Sequence, residues 1–253
     1  MAAVVVRRRV RTDVTGHGAV LYPAVAEAAR RTGASAVGLV DVGCSAGLDL
    51  TVDRVGIRYG NGQSLGDPSS PVQLSASVVG DRRLPTRRVP EVVARIGVDP
   101  DPVDVTDPDG TRWLRACVGP ERLARLDAEL ALAASTAPTL LQGDVVEVLP
   151  EALDRVPADA VPVVTTAWSL SRLPREGRLR FLHRLDEAAA RRPVAWVSVE
   201  GVGVAPAVPT MGDRRASGHS IIGLTVLDHS TLHAEGVGRC WSRGGMLAWL
   251  AGS

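Results

Sequence analysis

Lysine is missing from this chain: all 29 basic residues among its 253 are arginine. We read that bias as the mark of a GC-rich coding sequence. It also excludes a phosphate-binding loop of the G-x-x-x-x-G-K type, which needs a lysine beside the phosphates. Cysteine is scarce and unpaired. Cys44, Cys117 and Cys240 lie far apart with no C-x-x-C spacing, which argues against a zinc knuckle or a disulfide framework and fits a reducing, cytoplasmic setting. Aromatic residues make up 3% of the chain and the net charge is +1. Arg7, Arg8, Arg9 and Arg11 have no interleaved aromatics and read as a solvated end, so no nucleic-acid partner is expected. No apolar run is long enough to cross a bilayer, and no membrane partner is expected. Near the N-terminus the apolar patch precedes the arginines, the reverse of a secretory signal.

Hydrophobic periodicity alternates between helix and strand. Residues 20–31 have helical spacing and stop at Gly33, and a strand follows at 36–42. Residues 45–54 read as a short helix. Residues 55–90 read as a β-rich insertion, with a hairpin signal at Asn61-Gly62 and clean alternation through Val72, Leu74, Ala76 and Val78. Further strands are expected at 93–98, 139–142, 160–166 and 194–199. A helix opened by Pro120 carries Leu123, Leu126, Leu130 and Ala133 on one face, and another at 176–191 should turn Leu179, Leu182 and Leu185 inward. An antiparallel pair is expected at 219–227 and 231–238, and a last short helix at 244–251. Strands alternating with helices predict an α/β fold with a mostly parallel sheet, read as one domain over 1–253.

The densest chemical signal is Val37-Gly-Leu-Val-Asp41-Val-Gly43-Cys44-Ser45-Ala-Gly47-Leu48, a buried strand running into a glycine-spaced turn. Such a turn lets a ligand approach the backbone, and the following helix start should offer free N–H groups. The dinucleotide pattern G-x-G-x-x-G fails, because Ser45 stands at its middle glycine. A nucleophile elbow, G-x-S-x-G, matches literally. Ser45 would then be the nucleophile, with Asp144 or Glu200 as acid and His219, His229 or His233 as base.

The third reading is a resemblance. Asp41-x-Gly43-x-x-x-Gly47 is similar to the first motif of class I S-adenosylmethionine-dependent methyltransferases. Gly97-Val98-Asp99 and Gly143-Asp144 stand at the ends of the next two core strands, where those enzymes hold the ribose and the adenine. The segments Ser45-Ala-Gly-Leu-Asp-Leu50, Asp53-Arg54, Tyr59-Gly60, Arg95-Ile-Gly-Val-Asp99 and Trp196-Val-Ser-Val-Glu200 also resemble a large bacterial family of unknown function with a G-x-SAGLNL…DRY…YG signature. Here Asp49 replaces the usual asparagine, and a helical N-terminal region common in the family does not precede the first helix.

These resemblances imply a Rossmann-like, doubly wound α/β sheet of the class I methyltransferase type, with the β-rich insertion as lid or substrate platform. They imply S-adenosylmethionine as cofactor and a small-molecule methyl acceptor as substrate. Asp41, Gly43, Cys44, Ser45 and Gly47 would cradle the methionine part, Asp99 the ribose, and Gly143 and Asp144 the adenine. Thr166 follows strand four at the cofactor edge. Trp168 would stack on substrate, and Glu200 would accept a proton. A non-catalytic nucleoside-binding or interaction module on a degenerate fold is the alternative. More local roles also stand beside these: Asp41, Asp99 and Asp144 could be helix caps, and Asp49 and Asp53 could cap or solvate the short helix.

Overall fold

A computed structural model describes residues 15–229 and 231–252. The arginine cluster at Arg7–Arg11 therefore lies outside the described residues. The elements, in chain order, are helix α1 (Gly18–Arg31), strand β1 (Ala36–Val42), a 3-10 helix (Leu48–Arg54), β2 (Gly56–Tyr59), β3 (Ser64–Gly66), β4 (Gln73–Val78) and β5 (Glu91–Asp99). Helices α2 (Pro108–Cys117) and α3 (Pro120–Thr136) follow, then β6 (Thr139–Gln142), α4 (Val145–Asp154), β7 (Val161–Ala167), α5 (Arg175–Ala189) and β8 (Val194–Gly201). The chain closes with β9 (Ser220–Asp228), β10 (Thr231–Trp241) and β11 (Met246–Trp249).

Among the described residues the strands form one mixed, eleven-stranded sheet in the order β3-β2-β4-β11-β10-β9-β8-β7-β1-β5-β6. The run β6-β5-β1-β7-β8 is parallel throughout. Beyond β8, strands β9, β10 and β11 are antiparallel, each to its predecessor. β1 is apolar on both faces because both are covered. Val37 and Leu39 join the core around α1, whereas Val40 and Val42 join the core under α4 and α5.

Helix α1 is buried on every side from Gly18 to Ala29. A helix apolar all round needs cover all round. It packs on β7, β8 and β9 and also on β3 and β4, at the far end of the strand order, so the sheet curls about it. The Tyr59 hydroxyl donates to the Ala19 carbonyl at 2.8 Å, pinning the insertion to this helix. The expected hairpin is present, with β2 and β3 antiparallel around Asn61-Gly62. The insertion, however, extends the sheet: β4 pairs with β2 and with β11. Its role in the structure is to cover α1, and none of its residues lines the hollows described below.

Several expectations need correction. Residues 246–249 form a strand between β10 and β4, where a helix was expected, because both neighbours offer open edges to pair with. The segment expected as a helix over 45–54 is a turn followed by a 3-10 helix. On α5, Leu179 is 50% exposed where an inward position was expected, whereas Leu185 is buried as expected and Phe181 is buried with it. Helices α2 and α4 stand where no element was expected, each opened by an aspartate cap, Asp107 and Asp144.

Candidate functional site

Parallel strands deliver their carboxyl ends to one edge, and a ligand crevice opens where the connections diverge to either side. Here β1 is followed along the sheet by β5 on one side and β7 on the other. At that edge lies a hollow of about 230 Å³, walled by Val42, Gly43, Asp99, Val145, Leu170 and Leu173. A second hollow of about 30 Å³ adjoins it, sharing Gly43 and Arg172. Its remaining walls include His17, Asp41, Ser45, Asp49 and Trp168.

The glycine turn is built by backbone geometry. Gly43 has φ +80° and Gly47 has φ +69°, both in the left-handed region that favours glycine. Ser45 shares that region at φ +55°. The N–H groups of the turn are already engaged within the chain. Gly43 N donates to the Val98 carbonyl at 2.7 Å, Ser45 N to Asp99 Oδ2 at 2.9 Å and Gly47 N to the Cys44 carbonyl at 2.8 Å. The turn thus shapes the wall, and the expected open cradle of amides does not form at these three positions. Cys44 is buried, close beside Gly97.

The three aspartates divide. Asp99, buried at the end of β5, lines the larger hollow while accepting from Ser45 N and from Asp101 N at 2.8 Å. Asp41, buried and aligned with Thr165 across β1 and β7, accepts from the Thr165 hydroxyl at 3.0 Å and lines the smaller hollow. Burial and the neighbouring Asp49 hold the Asp41 carboxyl well above the ordinary carboxylate range. Asp144 is exposed and occupied as the cap of α4, accepting from Val146 N and Glu147 N at 2.9 and 3.3 Å. Neither Asp144 nor Gly143 lines a hollow at this edge, and Val145 takes that place.

Glu200 is 1% exposed. Its Oε1 accepts from Ser169 N at 3.0 Å and Leu170 N at 2.9 Å, which clamps the loop after β7. Burial pushes this carboxyl up to about 7, although the Leu170, Ser169 and Ser171 amides favour its charged form. Glu200 faces that loop and lines neither hollow, so the expected proton-accepting role at the substrate has no geometry behind it. Thr166 is fully buried, and its hydroxyl accepts from Trp196 Nε1 at 3.1 Å. The Trp168 ring is 4.9 Å from His17 between ring centroids and 5.0 Å from the Arg243 guanidinium; its Nε1 donates to the Ser220 hydroxyl at 2.8 Å.

Sequence reasoning passed over His17. It sits at the entry to α1, buried, with Nδ1 2.8 Å from Asp49 Oδ2. A lone histidine before a helix carries no periodic signal, and its partner is far along the chain. Burial pushes this imidazole down, but Asp49, Asp41 and Glu129 more than reverse it, so its pKa is raised. Asp53, expected to cap or be solvated, instead makes a two-pronged ion pair with Arg95 of β5 at 2.6 and 2.7 Å. The histidines of the nucleophile-elbow reading stand elsewhere: His219 is bound to Asp213 at 2.9 Å, and His229 and His233 are exposed. None of the three lines a hollow with Ser45.

Among the described residues, no group of three or more His, Cys, Asp or Glu side chains could hold a metal ion, and no helix is long and apolar enough to cross a membrane. The chain belongs to the family described as "uncharacterized protein conserved in bacteria" (DUF2332), which matches residues 1–249. No curated protein and no solved structure matches it.

Proposed function

We propose that this family member binds S-adenosylmethionine at the carboxyl edge of its parallel strands and transfers the methyl group to a small molecule. The observation that carries the reading is the hollow beside Gly43, with the Asp99 carboxylate in its wall. The strand order supports it: numbered among themselves, the five parallel strands run 3-2-1-4-5, the order of a doubly wound nucleotide-binding sheet.

The residues present fit the group. Val42, Val145, Leu170 and Leu173 offer apolar surface to a purine, and the Asp99 carboxylate stands in the same wall, where ribose hydroxyls would donate to it. Asp49, in the adjoining hollow, would attract a cationic sulfonium. The larger hollow alone, at about 230 Å³, falls below the roughly 300–1,000 Å³ of typical ligand sites, which suits a single nucleoside better than a dinucleotide. When bound, the cofactor would supply an electrophilic methyl group. The protein's own work would be to align donor and acceptor and to exclude water.

Calorimetry with S-adenosylmethionine tests the reading. Binding is expected, with at least about a tenfold loss of affinity in Asp99→Ala, the loss of roughly one charge-assisted hydrogen bond. No binding by the folded wild-type chain would overturn it. The second reading, a binding module without turnover, is favoured by the commitment of Glu200 to the loop amides. Binding without release of S-adenosylhomocysteine across a broad acceptor panel would select it.

A further inference from the structure

The smaller hollow is walled by two residues that carry a buried polar atom with no partner. His17 Nε2 and the Ser45 hydroxyl are both fully buried without a hydrogen bond, and both residues line this space. Buried orphans are rare enough to need an explanation, and two on one hollow point to a guest that satisfies both. The volume, about 30 Å³, admits one or two heavy atoms. A hydroxyl meets these demands: it can donate to Nε2 and accept from Ser45. Because the hollow shares Gly43 and Arg172 with the larger one, such a hydroxyl would lie next to a nucleoside bound there.

We infer that the smaller hollow receives the hydroxyl of a small alcohol acceptor, and that His17, oriented by Asp49, accepts its proton. This rests on the nucleoside reading above. Asp49 on Nδ1 selects the tautomer with Nδ1 protonated and Nε2 bare, as carboxylates do for catalytic imidazoles. In the step, the acceptor oxygen bonds to the methyl carbon as the carbon–sulfur bond breaks. That electron pair stays on sulfur as a neutral thioether, and the hydroxyl proton goes to Nε2. His17 is then the catalytic residue and Asp49 a positioning residue.

The groups facing His17 set the pH at which it can act. Asp49 comes from the 3-10 helix, Asp41 from β1 and Glu129 from α3, and all three favour the charged imidazole. Arg172 lines the same hollow and Arg243 lies on the Trp168 ring. The acidic limb of turnover should therefore fall above the ordinary histidine value, and Asp49→Asn should lower it.

The test uses the full chain labelled with ¹⁵N-histidine, with His17→Gln identifying the His17 signals. The neutral ring should show Nδ1 protonated and Nε2 bare, S-adenosylhomocysteine should shift both, and Asp49→Asn should lower the titration midpoint. If His17→Gln does not fold, the midpoint shift in Asp49→Asn identifies the residue. In a second arm, methanol, which the hollow can hold, is the acceptor with S-adenosylmethionine. Release of S-adenosylhomocysteine is expected, at least tenfold slower in His17→Gln, with the loss in kcat. A neutral ring protonated on Nε2, His17 signals unmoved while the nucleoside binds, or no release with methanol overturns the dyad and leaves cofactor binding standing. Absence of nucleoside binding removes both.

Discussion

Gly43 and Ser169 meet so closely that a Cβ on Gly43 would lie 2.6 Å from the Ser169 Cβ. The turn after β1 and the loop after β7 are thus pressed together at the mouth of the larger hollow, each setting the other's position.

Replacing Gly43 with alanine meets two penalties. The residue would be held at φ +80°, and its methyl would overlap a buried neighbour. A loss of about 2 kcal/mol or more is expected, measured as a lower urea midpoint. An unchanged midpoint would mean that the Ser169 loop moves away freely.

Stability should fall as pH rises from about 4.5 toward 7. Glu200 and Glu129 are both pushed up to about 7, chiefly by burial, from an ordinary value of 4.5. In that window the folded chain therefore holds more protons than the unfolded one, so raising the pH favours unfolding. The raised pKa of His17 acts in the same direction: its contribution is present below 6.5 and lost as pH rises through the folded value. Glu200→Gln keeps an acceptor for the Ser169 and Leu170 amides and removes the titration. Denaturant titrations at several pH values should show a shallower decline in this variant, by an amount on the order of 1 kcal/mol or more across the window. A parallel decline would mean that Glu200 does not titrate there.

Ser45 should not react with a fluorophosphonate probe. Its hydroxyl is buried without a hydrogen bond, and its amide is held by Asp99. Intact-mass measurement should show no adduct. An adduct at Ser45 that disappears in His17→Gln would instead make the histidine an activator of serine.

Much of the sheet was legible along the chain. The apolar run Val37–Val42 needed no tertiary information to be read as a buried strand, and Asn61-Gly62 marked a real hairpin. Helix α4 was not legible: it opens on β-branched Val145 and Val146, carries Pro150 inside, and is set by the Asp144 cap and by packing under the sheet. Met246–Trp249 misled in the other direction, since four residues of mixed preference follow whichever partners they find. Within the site, Asp41, Gly43 and Asp99 could be placed at one edge because parallel strands end there together. The dyad of His17 and Asp49 could not, because no spacing rule links a helix entry to a 3-10 helix beyond the next strand.

By itself the order of residues determined the alternation of strands and helices, the two-sided burial of β1 and the glycine turn beside Asp41. Those properties depend on local backbone preference and on periodicity along the chain. Folding decided how the polar groups were spent: Asp144 on a helix end, Glu200 on a loop, the turn amides on neighbouring carbonyls and the Asp99 carboxylate, His17 on Asp49. Each of these groups bonds a partner that lies near it in space, and that nearness exists only after the sheet has curled around its first helix.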